Sequence, residues 1–263
     1  MVDRQEPAEN IGSSDGVPLG IPTDFEPDTP AATVVVELGK LFWQKSYGGQ
    51  DGFTCLVRTI LTQNTSDVAS QPAFETLRDR FGNGSLLENL LAADESSIAD
   101  AIRGAGLYDQ KASVIKTCAR WVHDEFVTAE NFDEWLRDSE TAVARERLLE
   151  IRGVGPKTAD CVLLFAGGRE GIFPVDTHVH RISRRMGVAK PDASHEDVRD
   201  VLESTVPPEQ CGFGHTAMIQ FGREYCTARS PACFDSEGCP LVEHCDQVGI
   251  DLETASVTDP ANV

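Results

Sequence analysis

Apolar residues recur along the body of this chain at helical spacing and almost nowhere at strand spacing, which restricts it to an all-α fold. Phe53, Leu56, Val57, Ile60 and Leu61 line one face of an amphipathic helix. Ile115, Ala119, Val122 and Phe126 repeat the pattern, as do Val175, Val179, Ile182 and Met186. Asp94, Thr141 and Ser194 are placed to cap helix starts. Val34-Val35-Val36 is the one β-branched run, and it leads directly into the helical Leu38, Leu41 and Phe42. At 263 residues the chain holds one large or two small domains. No apolar run approaches the roughly 18 residues that span a bilayer, and the acidic start lacks a secretion signal. A cytoplasmic protein is expected.

Charge bears on the partner. The formal net charge is −20, which by itself disfavours a polyanion. Half of it sits at the ends: residues 1–30 carry seven acids and one Arg, and residues 246–263 carry four acids and no base. Both ends read as disordered acidic segments. With only six Lys among 23 bases, the acidic surface reads as that of a halophilic protein from a high-salt cytoplasm. Arg145 to Lys190 reverses the sign, with nine bases against five acids. Function is expected in that basic island.

At its centre the helical pattern breaks. Leu148 and Leu149 end one helix, Gly153-Val154-Gly155 turns the chain, and Pro156 opens a second helix through Ala159, Val162 and Leu163. Two glycines let the backbone turn tightly and approach a partner. The new helix offers unpaired amides at its start, a site for a phosphate. An ordinary helical hairpin has the same pattern; the surrounding bases favour a phosphodiester backbone. Lys157 lies just inside the second helix, where the dipole depresses an ammonium pKa and favours a neutral amine nucleophile. Asp176 follows 19 residues later at the start of another helix. Together the two supply a nucleophile and a group to manage protons or a developing cation. A phosphate contact for Lys157 and an N-cap for Asp176 are the simpler alternatives.

The eight cysteines fall into two sets. Cys55, Cys118, Cys161 and Cys211 lie on apolar helical faces and read as buried thiols. Cys226, Cys233, Cys239 and Cys245 lie within 20 residues. Disulfides do not suit a cytosolic chain. Structural zinc favours tighter pairs, of about two to four intervening residues, so these wider loops suit a [4Fe–4S] cluster better.

Taken together, these residues resemble the endonuclease III family of helix-hairpin-helix DNA glycosylases over roughly residues 30–247. Five segments carry the resemblance: Ile60–Asp67, Gly106–Ala112, the Gly153–Lys157 hairpin, Val175–His178, and the terminal cysteines. It implies a six-helix barrel over 54–172 and an iron–sulfur domain made of 31–53 and 173–247, with 1–30 and 248–263 outside both. It also implies a monomer with damaged duplex DNA across a cleft and one base flipped out. Lys157 would attack the sugar C1′, expel the base and form a Schiff base, and β-elimination would nick the strand 3′ to the lesion. Asp176 would activate the nucleophile and stabilise the sugar cation. Gln63, Leu107 and His178 match positions that fill or border the gap left by the flipped nucleotide. Gly153, Val154 and Gly155 would hold phosphate, and Arg181, Arg184 and Arg185 are phosphate candidates from charge and position.

A lysine at position 157 favours a bifunctional glycosylase/lyase acting on oxidised pyrimidines. A monofunctional mismatch glycosylase and a non-catalytic DNA-binding module remain the alternatives. The sequence departs from the family's common spacing between the second and third cysteines, where five residues replace two.

Overall fold

The computed structural model describes residues 9–10, 18–19, 26–45, 51–235 and 238–263. Among these the chain is all-α apart from short strand pairs. In chain order the helices are α1 (Pro30–Leu41), α2 (Gly52–Thr62), α3 (Asp67–Phe81), α4 (Leu86–Ala92), α5 (Glu95–Ala101) and α6 (Tyr108–Phe126). Then come α7 (Ala129–Asp138), α8 (Thr141–Leu149), α9 (Pro156–Phe165), α10 (Thr177–Arg185), α11 (His195–Thr205) and α12 (Pro208–Glu224). Among the described residues no helix is long and apolar enough to cross a membrane.

The chain divides into two compact units: Gly48–Arg169, and the chain up to Tyr47 together with Glu170–Val263. The first holds α2 to α9. Its central helix is α2, whose predicted face Phe53, Leu56, Val57, Ile60 and Leu61 is fully buried against α6, α7 and α9. Gly52 makes that packing possible, because a Cβ there would lie 2.4 Å from Leu136 Cδ1. In the second unit α12 packs on α1 and α10. A Cβ at Gly214 would lie 2.7 Å from the Phe173 ring, and one at Gly222 would lie 2.6 Å from His178 Nδ1, so both glycines let neighbours approach α12 closely.

The caps follow local chemistry. Ser194 closes a capping box with Asp197 at α11. Asp94 stands at the α5 N-cap without a side-chain bond. Glu140, one residue before the predicted Thr141, caps α8 by accepting from the Ala142 and Val143 amides.

Both ends differ from expectation where they are described. Glu9–Asn10 pairs in parallel and Pro18–Leu19 antiparallel with Phe42–Lys45; the rest of 1–25 lies outside the described residues. The expected disordered tail, 248–263, is ordered. Ile250–Asp251 pairs with Ser256–Val257, and Asp259 accepts from the buried Arg184. That buried guanidinium needs a carboxylate, and the tail supplies it.

Candidate functional site

The turn between α8 and α9 is built as the sequence suggests. Gly153 has φ +94°, and a Cβ there would lie 2.5 Å from Val114 Cγ2, so both the backbone and the space require glycine. Gly155 caps α9 with no side chain, and its own Cβ position is open. The first amides of α9 therefore meet no capping side chain. A buried pair, Arg145 Nε donating to Asp160 Oδ1 at 2.7 Å, ties α8 to α9. Lys157, half-buried, is the second residue of α9. Burial and Cys161 push the nearby Cys55 thiol up to about 12, with Arg58 and Lys157 among the charges that pull it down. Gly153→Ala is expected to destabilise this unit by about 1–3 kcal/mol through strain and overpacking, read by thermal or denaturant unfolding.

Two further loops of the same unit hold predicted site residues, and one of them is bonded to this turn. Gln63 Nε2 donates to Gly153 O at 3.2 Å and to Thr158 Oγ1 at 3.0 Å, so its amide fastens the α2 end to the hairpin. Asn64, which the sequence reading passed over, is exposed with φ +51°. Leu107 is 51% exposed and left-handed, at φ +49°. An exposed leucine in that conformation is favoured neither by burial nor by the backbone.

Asp176 caps α10. Its Oδ1 accepts from the His178 and Val179 amides, both at 2.8 Å. Both bonds end on one oxygen, and among the described residues no hydrogen bond reaches Oδ2. His178 Nδ1 lies 3.1 Å from an Arg181 nitrogen. Burial lowers the His178 pKa, with Arg181 and Arg223 adding to the fall against the pull of Asp176.

The three arginines on α10 each donate to protein carbonyls, and Arg184 also meets a carboxylate. Arg181 donates to Cys226 O at 2.8 Å and Gly222 O at 3.1 Å. Arg184, 6% exposed, donates to Pro191 O and to Asp259. Arg185, 3% exposed, donates to Thr227 O at 2.7 Å and Ala228 O at 2.8 Å. A guanidinium fork suits carbonyls left open at a helix end as well as it suits phosphate. Charge counting cannot distinguish those uses. Arg152, exposed on the hairpin turn, remains a surface base.

Arg185 also donates to Cys226 Sγ at 3.5 Å, and its buried Nε has no hydrogen-bond partner among the described residues. Cys226, Cys233, Cys239 and Cys245 line one pocket with Phe221 and Leu241. The Gln247 amide donates to Cys245 Sγ at 3.4 Å. Burial pushes Cys245 up to about 12 and raises Cys233 and Cys239. Among the described residues no three His, Cys, Asp or Glu side chains form a group that would hold a metal ion. Four thiols lining one pocket are a soft donor set of the kind that suits an iron–sulfur cluster.

Residues 57–208 match the HhH-GPD superfamily of base excision DNA repair proteins. The chain belongs to that superfamily, within its endonuclease III family. It is 32% identical to endonuclease III of Thermotoga maritima, over 74% of this chain and 83% of that protein. It is 33% identical to endonuclease III of Sulfolobus acidocaldarius, over 73% and 81%. Its fold matches a trapped endonuclease III–DNA covalent intermediate with TM-score 0.64 at 28% identity, covering 76% of this chain and 86% of that one.

Membership in the family accounts for the hairpin and leaves one sequence reading without support. The high-salt, haloarchaeal origin inferred from the charge balance finds no support in these matches. Within the long Cys233–Cys239 interval, residues 236–237 lie outside the described residues. Asp235 N donates to Ala232 O at 3.0 Å and Gly238 N to Asp235 O at 2.9 Å, and a Cβ on Gly238 would lie 2.4 Å from Ala232 O. Cys233 and Cys239 line the same pocket.

Proposed function

We propose that this protein is a bifunctional DNA glycosylase/AP lyase that removes oxidised pyrimidines from duplex DNA. The reading is carried by Lys157 on the first turn of α9, directly after a hairpin whose amides suit a phosphate. The neutral Lys157 amine attacks C1′ of the extruded nucleotide. The glycosidic bond breaks, and the base leaves with its electron pair and takes up a proton. Ring opening gives a protonated Schiff base between Lys157 Nζ and C1′. Loss of a C2′ proton then expels the 3′ phosphate, and water returns the amine. Asp176 stabilises the cationic sugar through its carboxylate. Hairpin residues Gly153, Val154 and Gly155 hold the backbone, while Asn64 and Leu107, beside the fastened Gln63, occupy the space the nucleotide leaves. His178 borders it.

Cys226, Cys233, Cys239 and Cys245 would hold a [4Fe–4S] cluster, which cross-links the segment after α12. As-purified protein is expected to contain about four iron atoms per chain and a visible thiolate-to-iron absorption band. Cys239→Ser should lose the band and lower the unfolding temperature; colourless wild-type protein after anaerobic iron and sulfide reconstitution would refute the cluster.

Borohydride reduction tests the main reading. A duplex with thymine glycol and one with an abasic site should both give a protein–DNA adduct. An adduct on the abasic duplex alone would keep the lyase and redirect the search among damaged bases. No adduct on either would reduce the activity to base release without a lysine intermediate.

A further inference from the structure

A buried ammonium in the first turn of α6 plays no part in the chemistry above. Lys111 is 3% exposed. Its Nζ donates to Leu61 O at 2.7 Å, Thr65 Oγ1 at 2.6 Å and Ala105 O at 2.9 Å. Those three acceptors use all its hydrogens, and none of them is a carboxylate. Burial lowers its pKa, and the convergence of three oxygens is what makes an ion tenable there.

The acceptors come from two segments. Leu61 and Thr65 bracket the turn after α2, while Ala105 ends the 3-10 turn Arg103–Ala105 before α6. Thr65 Oγ1 also lies 2.5 Å from Ala105 O and 3.1 Å from Gln63 O, so one hydroxyl joins both segments. Immediately beside these anchors stand Asn64 and Leu107, exposed non-glycine residues at φ +51° and +49°. Such backbone states persist where the surroundings over-determine them. Here Lys111 and Thr65 tie the two segments together.

We propose that Lys111 and Thr65 form a clamp that fixes Asn64 and Leu107 relative to each other, so that the pair enters the base stack as one rigid wedge. Both anchors are positioning residues: they set the rate of nucleotide extrusion and leave bond breaking to Lys157. This inference rests on the glycosylase reading, since only an enzyme that turns out a nucleotide needs the wedge.

Thr65→Val keeps the β-branch and removes the hydroxyl, Thr65→Ser restores it, and Lys111→Met removes the charge. Extrusion is read by fluorescence of 2-aminopurine placed beside the lesion in a duplex. Chemistry without a stack to open is read by borohydride trapping on an abasic site in a single strand. For Thr65→Val the ratio of duplex to single-strand rates should fall about tenfold, the scale of one hydrogen bond to a charged group, with the fluorescence rise slowed in step. Lys111→Met should fall at least as far, and Thr65→Ser should return to the wild-type ratio. Equal losses on both substrates would show a general defect and overturn the clamp, as would an unchanged ratio. Leu107→Ala separates the two layers. If it is slow to extrude while Thr65→Val is normal, the clamp alone fails. If it extrudes as fast as wild type, the wedge reading fails and the clamp with it.

Discussion

Lys157→Ala is expected to abolish the borohydride adduct on both substrates and to lower base release by a factor on the order of 10⁴, about 5.5 kcal/mol of transition-state stabilisation. The size follows from losing the nucleophile and not merely a charge. If Lys157 only contacted phosphate, its removal would weaken binding and flatten the salt dependence by about one counterion, while turnover at saturating DNA would persist. Measuring both separates the roles. Single-turnover rates at saturating enzyme report the chemistry, and a binding isotherm across salt concentrations reports the contact. The fold should tolerate the change, because Lys157 lies in the first turn of α9, where alanine is a good helix former, and Pro156 and Gly155 still set the helix start. Unchanged trapping by Lys157→Ala would move the nucleophile elsewhere.

The all-α class and the α2 face were legible because burial repeats at helical spacing, and each of the five residues predicted on that face is fully buried. The hairpin was legible because glycine and proline act locally: Gly153 needs its positive φ, and Pro156 opens α9. The strand pairing of Phe42–Lys45 and the ordered tail were not legible. Each depends on a partner distant in sequence, and neither short strand has enough residues to show alternation.

The candidate site divides along the same line. The four late cysteines could be grouped from spacing alone, since a loop of a few residues returns easily to one pocket. The arginines could not be assigned, because Arg181, Arg184 and Arg185 meet carbonyls and a carboxylate supplied by other segments. Lys111 and Thr65 were hidden for a related reason. A lysine in a helical stripe reads as solvated, and only three converging oxygens reveal it as buried. Asn64 could have been found from one signal: Asn is the non-glycine residue most at ease with positive φ, and here it follows directly on the end of α2.

Asp176→Asn is expected to lower base release at least a hundredfold, the scale typical of general acid–base or electrostatic groups, with unfolding free energy unchanged to within about 0.5 kcal/mol. The substitution is informative because of how Asp176 is held. The cap uses one oxygen, Oδ1, to accept from the His178 and Val179 amides, and an asparagine carbonyl accepts in the same way with nearly equal capping strength. What asparagine removes is the negative charge at Oδ2. A pure cap therefore predicts wild-type turnover for Asn and a stability loss of about 1 kcal/mol for Asp176→Ala. A carboxylate that stabilises the sugar cation predicts that Asn and Ala are equally inactive while only Ala is destabilised. Lys157 and Asp176 belong to different compact units, so the double variant adds a further test. If both act in one step on one nucleotide, the combined loss should fall well short of the product of the separate losses.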